Sequence, residues 1–195
     1  MGRAFPFALA DGRTGIVREA RAGDARACIR IVTETVSDKP RTIAVVPEEL
    51  WTAAEWRRHR LAWGARGVSL VAEIDGDVVG HLTVERGARA ATKHAAEFGI
   101  VVARTARGQG VGRALLRVLE AWAEEHGVTR IALGVFGDNE RAKGLYRSMG
   151  YEEEGWERAG MKFPEGEIDI LRMCKRIGVT GPETRSAHRY DEQNH

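Results

Sequence analysis

Residues 98–116 read Phe98-Gly99-Ile100-Val101-Val102-Ala103-Arg104-Thr105-Ala106-Arg107-Gly108-Gln109-Gly110-Val111-Gly112-Arg113-Ala114-Leu115-Leu116. The stretch passes from an apolar run, through a glycine cluster, into a helical stripe. The run Glu97 to Ala103 is apolar at both alternating sets of positions, which predicts a central strand covered on both sides. From Gly110 onward, Val111, Ala114, Leu115, Val118, Leu119 and Trp122 recur at three- and four-residue spacing, with Arg113, Arg117, Glu120 and Glu124 opposite them and Gly127 as the stop. Between strand and helix, glycines let a backbone approach a ligand closely, and the N–H groups opening a helix favour negative charge. The unit reads either as an anion cradle or only as a tight strand-to-helix turn in an α/β domain.

Working outward, Ile16–Ala20 predicts a first strand. Asp24 then caps a helix carrying Ala27, Cys28, Ile31, Val32 and Thr35. A second helix is expected from near Pro47, through Trp51 and Trp56, to about Trp63. Val68–Ile74 and Val78–Arg86 are strands joined by Asp75-Gly76-Asp77, a tight-hairpin signal. Downstream, Arg130–Val135 is a strand, and Asp138 or Asn139 caps a helix whose inward stripe is Ala142, Leu145, Tyr146 and Met149. Strands near Tyr151–Arg158 and Ile168–Lys175 close the order. Residues 15–177 are expected to form one domain, and 1–14 and 178–195, polar or glycine-rich and without periodicity, are expected to be flexible tails.

The chain has 195 residues, with 30 basic and 28 acidic side chains and a formal net charge of +2. So small a difference gives no field that argues for nucleic acid or a membrane surface as partner. The two cysteines, Cys28 and Cys174, lie far apart, with no ligand spacing for a metal and no disulfide framework. Pro6 stands where a myristoylation signal wants Ser or Thr, and no segment approaches a membrane-spanning length. A soluble cytoplasmic protein without a metal is the expectation.

Two familiar nucleotide patterns fail in the glycine cluster: dinucleotide spacing needs glycine where Arg113 stands, and no Gly-Lys-Ser/Thr follows. Arg107, Gly110 and Gly112 instead match Gln/Arg-x-x-Gly-x-Gly/Ala. About thirty residues on, Asn139-Glu140-Arg141-Ala142-Lys143-Gly144-Leu145-Tyr146-Arg147-Ser148-Met149-Gly150-Tyr151 matches Asn-x-x-Ala-x-x-Leu-Tyr-x-x-x-Gly-Phe/Tyr. With these two motifs in this order, the sequence resembles the GCN5-related N-acetyltransferase (GNAT) superfamily over roughly 15–177. The resemblance implies a single mixed, mostly antiparallel central sheet of about seven strands flanked by four helices. It implies acetyl-CoA in a splay between the strands ending near Val102 and Val135, its pantetheine pairing with backbone near Ile100 and Val102. The pyrophosphate would lie on the amides of Arg107, Gly108, Gln109, Gly110, Val111, Gly112 and Arg113. Asn139 would help hold the cofactor, and Tyr146 would stand near the thioester sulfur as general acid, a role a phenol suits. Amides near Val101 and Val102 would polarise the thioester carbonyl. Read without the motif, Tyr146 is a core residue and Asn139 a helix cap.

An amine acceptor must lose a proton before it attacks. Glu97, whose chain neighbours are apolar, is the first candidate base, a water relay the alternative, and Glu73, His81 and His94 stand in reserve. Gly99 suggests a bulge that leaves the direction of Glu97 open. The segment 36–66, with Trp51, Trp56 and Trp63 among Arg57, Arg58, His59 and Arg60, is the family's variable acceptor side. The acceptor, an amine-bearing small molecule or protein, stays open, as does homodimerisation. The alternative to an enzyme is an acetyl-CoA-binding regulatory or sensor module without turnover.

Overall fold

A computed structural model of the chain describes residues 3–36, 38, 42, 49–63 and 66–178, with the side chains of 59–63 outside the description. The expected helix start at Pro47, the side chain of Trp63 and the tail beyond 178 therefore lie outside the described residues.

The described elements form one mixed sheet with helices on both faces. Strands β1 (Ala4–Ala8), β2 (Thr14–Glu19), β3 (Gly67–Ile74), β4 (Asp77–Arg86), β5 (Ala95–Val102), β6 (Arg130–Phe136), β7 (Glu152–Phe163) and β8 (Gly166–Arg176) lie in the order β1-β2-β3-β4-β5-β6-β8-β7. Every pairing is antiparallel except β5 with β6. The helices are α1 (Ala25–Val36), α2 (Ala53–Trp63), α3 (Val111–Glu125) and α4 (Glu140–Ser148). The mixed, mostly antiparallel sheet and four helices are as expected, with eight strands where about seven were expected. The extra one corrects the reading of residues 1–14 as a tail, because Ala4–Ala8 pairs along β2 from Ala4↔Arg18 to Ala8↔Thr14. Pro6 is compatible with that place, since an edge strand leaves one side of its backbone unpaired.

Local chemistry accounts for most element boundaries. Asp75 and Gly76 both take positive φ, 52° and 89°, as the Asp-Gly hairpin requires. Helix α2 opens on a capping box: Thr52 Oγ1 accepts from the Glu55 N–H at 3.2 Å, and the Glu55 carboxylate accepts from the Thr52 N–H at 2.7 Å. Asp24 does not cap α1 as expected. It closes the 3-10 turn ahead of α1, accepting from the Arg21 N–H at 2.6 Å, and its carboxylate binds the Arg18 guanidinium.

Alternation along the strands separates two cores. Leu70, Ala72, Leu82 and Val84 pack under α3 against Leu115, Leu116 and Leu119, whereas Val71, Val78 and Val101 pack under α1 and α2 against Cys28, Ile31 and Trp56. The sheet is thereby covered on both faces in its middle, and its edges differ. Strand β7 is exposed at every residue but Phe163.

Candidate functional site

The parallel pair at the centre of the sheet is incomplete. β5 and β6 pair only from Ala95↔Arg130 to Glu97↔Ala132, although β5 continues to Val102 and β6 to Phe136. Beyond Glu97 the strands part. The Ala103 N–H donates to Val79 O at 2.8 Å, and the Gly87 N–H to Ala95 O at 3.0 Å. Two-residue alternation then commits the odd-numbered amides of β5 to β4, while Phe98, Ile100 and Val102 turn their N–H and C=O groups toward the opening. Ile100 and Val102 thus face the opening. Val101 does not: its peptide groups belong to the β4 ladder, and its side chain packs on the α1 side. No register shift occurs at Gly99, so the expected bulge is absent from the β4–β5 pairing.

At the end of β5 the chain passes through a 3-10 turn, Arg104–Ala106, into the glycine cluster. Gly108 and Gly110 hold φ of 82° and 88°, a region that costs an L-residue strain. The first bond of α3 runs from the Ala114 N–H to Gly110 O at 3.0 Å, so the amides ahead of it lie before the helix's own ladder. Gln109 Oε1 is buried without a partner among the described residues.

The side chains of Arg107, Arg104 and Arg113 turn elsewhere. Arg107 Nε donates to Val102 O at 3.1 Å, and its Nη2 lies 2.5 Å from Asp38 Oδ2. Arg104 Nε donates to Asp38 Oδ1 at 2.6 Å. Asp38, 7% exposed, thus fastens the segment after α1 to the loop. Burial alone would raise its pKa, but hydrogen bonds from Arg107 and Arg104 outweigh that and hold the carboxyl below the ordinary range. Arg113 ties α3 to α4, donating to Ser148 Oγ at 2.8 Å and approaching Met149 Sδ at 3.3 Å.

Across the opening, Asn139 caps α4, its Oδ1 accepting from the Ala142 N–H at 3.1 Å. Lys143 Nζ, buried, holds Gly137 O at 2.5 Å and the Glu140 carboxylate at 2.5 Å, which fixes the turn before the cap. Tyr146 is 6% exposed, edge-on to Phe98 with ring centroids 5.9 Å apart. Burial raises its phenol above the ordinary value, so the group remains a proton donor throughout the neutral range.

One cavity of about 1110 Å³ joins these parts, running from the glycine cluster past Asn139 and Tyr146 to Glu97, Trp51 and Trp56. Glu97 lines it but not in apolar surroundings. Its carboxylate is half-exposed and lies 2.7 Å from Arg172 Nη2. His81 also lines the cavity, with Nε2 2.9 Å from Ser69 Oγ and its ring 5.8 Å from that of Trp56. Burial lowers its pKa to about 4. Glu73 is held by Arg18 at 2.8 Å, and His94 is exposed and does not line the cavity. Trp56 is core, whereas Trp51 is partly exposed at the cavity wall. Asp38, Glu157 and Arg172 were not foreseen, because each acts through a partner remote in sequence; Lys143, whose partners Gly137 and Glu140 are near, stood in the motif without a role.

Comparison with known proteins fits this geometry. Residues 28–151 match the model of the acetyltransferase (GNAT) family. The chain belongs to the GNAT family. Within it, L-amino acid N-acetyltransferase AaaT of Escherichia coli is 46% identical over 110 residues, covering 54% of this chain and 66% of the relative. The match therefore spans slightly under two thirds of that GNAT relative's length. Ribosomal-protein-alanine N-acetyltransferase of Brucella melitensis superimposes with a TM-score of 0.73 at 30% identity, over 83% of this chain and 99% of that one. A phosphinothricin acetyltransferase (Pat) of Sinorhizobium meliloti, solved in complex with AcCoA, gives 0.75 at 25% identity, over 90% and 96%. Among the described residues no helix is long and apolar enough to cross a membrane, and no group of His, Cys, Asp and Glu is disposed to hold a metal ion. Both cysteines are free.

Proposed function

We propose that the protein is an acetyl-CoA-dependent N-acetyltransferase acting on a primary amine by direct attack in a ternary complex, with an L-amino acid as the leading acceptor. The observation that carries this reading is the parting of β5 from β6 beside the left-handed glycine cluster. It presents an unpaired strand edge and an anion cradle to one cavity, and Tyr146 stands on the wall between that cradle and Glu97. The cavity is large enough for a cofactor arm and an acceptor together. The amino-acid acceptor is supported by the name of the 46% identical relative.

These residues suit acetyl-CoA. The amides of residues 108–113 would take the pyrophosphate, the Arg107 N–H being engaged by Arg104 O, and the backbone of Ile100 with the Val102 N–H would pair with the pantetheine amides. Val102 O is already held by Arg107. Asn139, which lines the same cavity, would flank the arm. The thioester supplies an activated acetyl group. Glu97 takes the proton of the acceptor ammonium, either directly or through water. As the nitrogen attacks, a C–N bond forms and the C–S bond breaks. Tyr146 protonates the departing thiolate, and the second proton of the nitrogen returns to Tyr146 through solvent.

Incubation of the purified chain with acetyl-CoA, the twenty L-amino acids and a panel of other primary amines, read by thiol release and by mass of the product, tests the reading. Acetylation of at least one amine is expected. Absence of transfer to any amine, with acetyl-CoA bound, would leave a binding module and overturn the enzyme.

A further inference from the structure

Four neighbouring strands each bring one residue to the acceptor end of the cavity: Glu97 on β5, Gly134 on β6, Arg172 on β8 and Glu157 on β7. Arg172 is opposite Gly134 in register. Its guanidinium reaches across β6 to Glu97, with Nη2 2.7 Å from Oε1, while Nε faces Glu157 Oε1 at a looser 3.5 Å. The reach depends on the glycine. A Cβ at position 134 would lie 3.0 Å from Arg172 Nη1 and 3.0 Å from Ile170 Cγ2.

The pair is open to exchange. Arg172 is 32% exposed and Glu97 58%, and both face the cavity rather than the core. An acceptor carrying only an ammonium group would meet Glu97 but compete with Arg172 for it. A zwitterion replaces the one ion pair with two, its ammonium on Glu97 and its carboxylate on the guanidinium, whose planar fork suits a carboxylate. Phe136, Met161 and Ile170 line the same end and supply apolar surface for a side chain.

Resting on the N-acetyltransferase reading above, we infer that Glu97 and Arg172 form a split ion pair that selects a free α-amino acid, Arg172 binding the α-carboxylate. Glu157 is the resting partner that keeps Arg172 aligned before the acceptor arrives. Arg172 thereby determines specificity, and Glu97 receives the ammonium and its proton at the same place.

The test compares each L-amino acid with its amide, which keeps the ammonium and lacks the carboxylate, in the wild type, Arg172→Gln, Arg172→Lys and Gly134→Ala. The wild type should prefer the acids by tenfold or more. In Arg172→Gln, kcat/KM for the acids should fall about a hundredfold and that for the amides by less than about tenfold, with Arg172→Lys between. Gly134→Ala, which displaces the guanidinium without removing its charge, should narrow the preference as well. Equal use of acids and amides by the wild type, or an equal fall for both in Arg172→Gln, would overturn the inference. Transfer to other amines but to no amino acid would overturn it and leave the enzyme standing. If no amine is acetylated the enzyme reading fails, and calorimetry decides the pair by itself: L-amino acid binding that Arg172→Gln abolishes upholds it, and binding unaffected by the change refutes it. Melting temperatures matching the wild type exclude misfolding as the cause.

Discussion

Arg107 Nη2 lies 2.5 Å from the buried Asp38 Oδ2, and the same guanidinium holds Val102 O. One side chain thus fixes the end of the open strand to the segment after α1. Asp38→Asn is expected to cost about 1–3 kcal/mol, as for a hydrogen bond to a charged group, most of it from Arg107, because Arg104 is half-exposed. The KM for acetyl-CoA should rise more than that for the acceptor. The wild-type carboxyl is held below its ordinary value, so its contribution is complete above pH about 4 and is lost as pH falls through the folded value. Melting temperature against pH should show an acid limb that Asp38→Asn flattens.

Tyr146→Phe retains the ring contacts with Phe98 and removes the donor. A drop in kcat of about a hundredfold or more is expected, with the acetyl-CoA KM little changed. Because burial raises the phenol's pKa, the wild-type rate should show no loss attributable to Tyr146 up to pH about 10. Single-turnover kinetics across pH check both, and a variant with wild-type turnover would remove the acid role.

Gly110→Ala places a side chain at a φ of 88°. The strain is about 1–2 kcal/mol, and relieving it would turn the loop amides away from their common focus. Acetyl-CoA affinity by calorimetry should fall at least tenfold. A melting temperature lowered with unchanged affinity would show that the loop is only a turn.

His81 gives the fold a second pH dependence. Its folded pKa is about 4 against an ordinary 6.5, so between those values the unfolded chain binds the additional proton. Stability should therefore decline as pH falls from about 6.5 toward 4, and His81→Gln should shallow that decline in urea titrations. The ring should show no NMR titration between pH 5 and 8.

What could be read from the sequence is what short range decides. The Asp75-Gly76 hairpin, the α3 stripe and the Asn139 cap each depend on residues within a turn or two of one another. The strand β1 was missed because its apolar run, Ala4-Phe5-Pro6-Phe7-Ala8, is short and interrupted by a proline, and an edge strand needs no strong pattern of its own. Glu97 was expected among apolar neighbours because its chain neighbours are apolar. Its real neighbour, Arg172, comes from β8, and only the register of β6 with β8 and the absence of a side chain at Gly134 bring the two together. Asp38 was hidden for the same reason, since its partners arrive from beyond β5.

The parting of β5 from β6 leaves the protein with a sheet margin in its own interior. Margins elsewhere in the sheet end in solvent, but Ile100 and Val102 direct theirs into a cavity, where peptide groups want partners. In the reading proposed here the cofactor arm serves as a short borrowed strand, contributed by a metabolite instead of by the gene. The amount of intact enzyme in a cell would then follow the supply of coenzyme A: chains made during scarcity would open more often and meet proteases sooner than chains made in plenty.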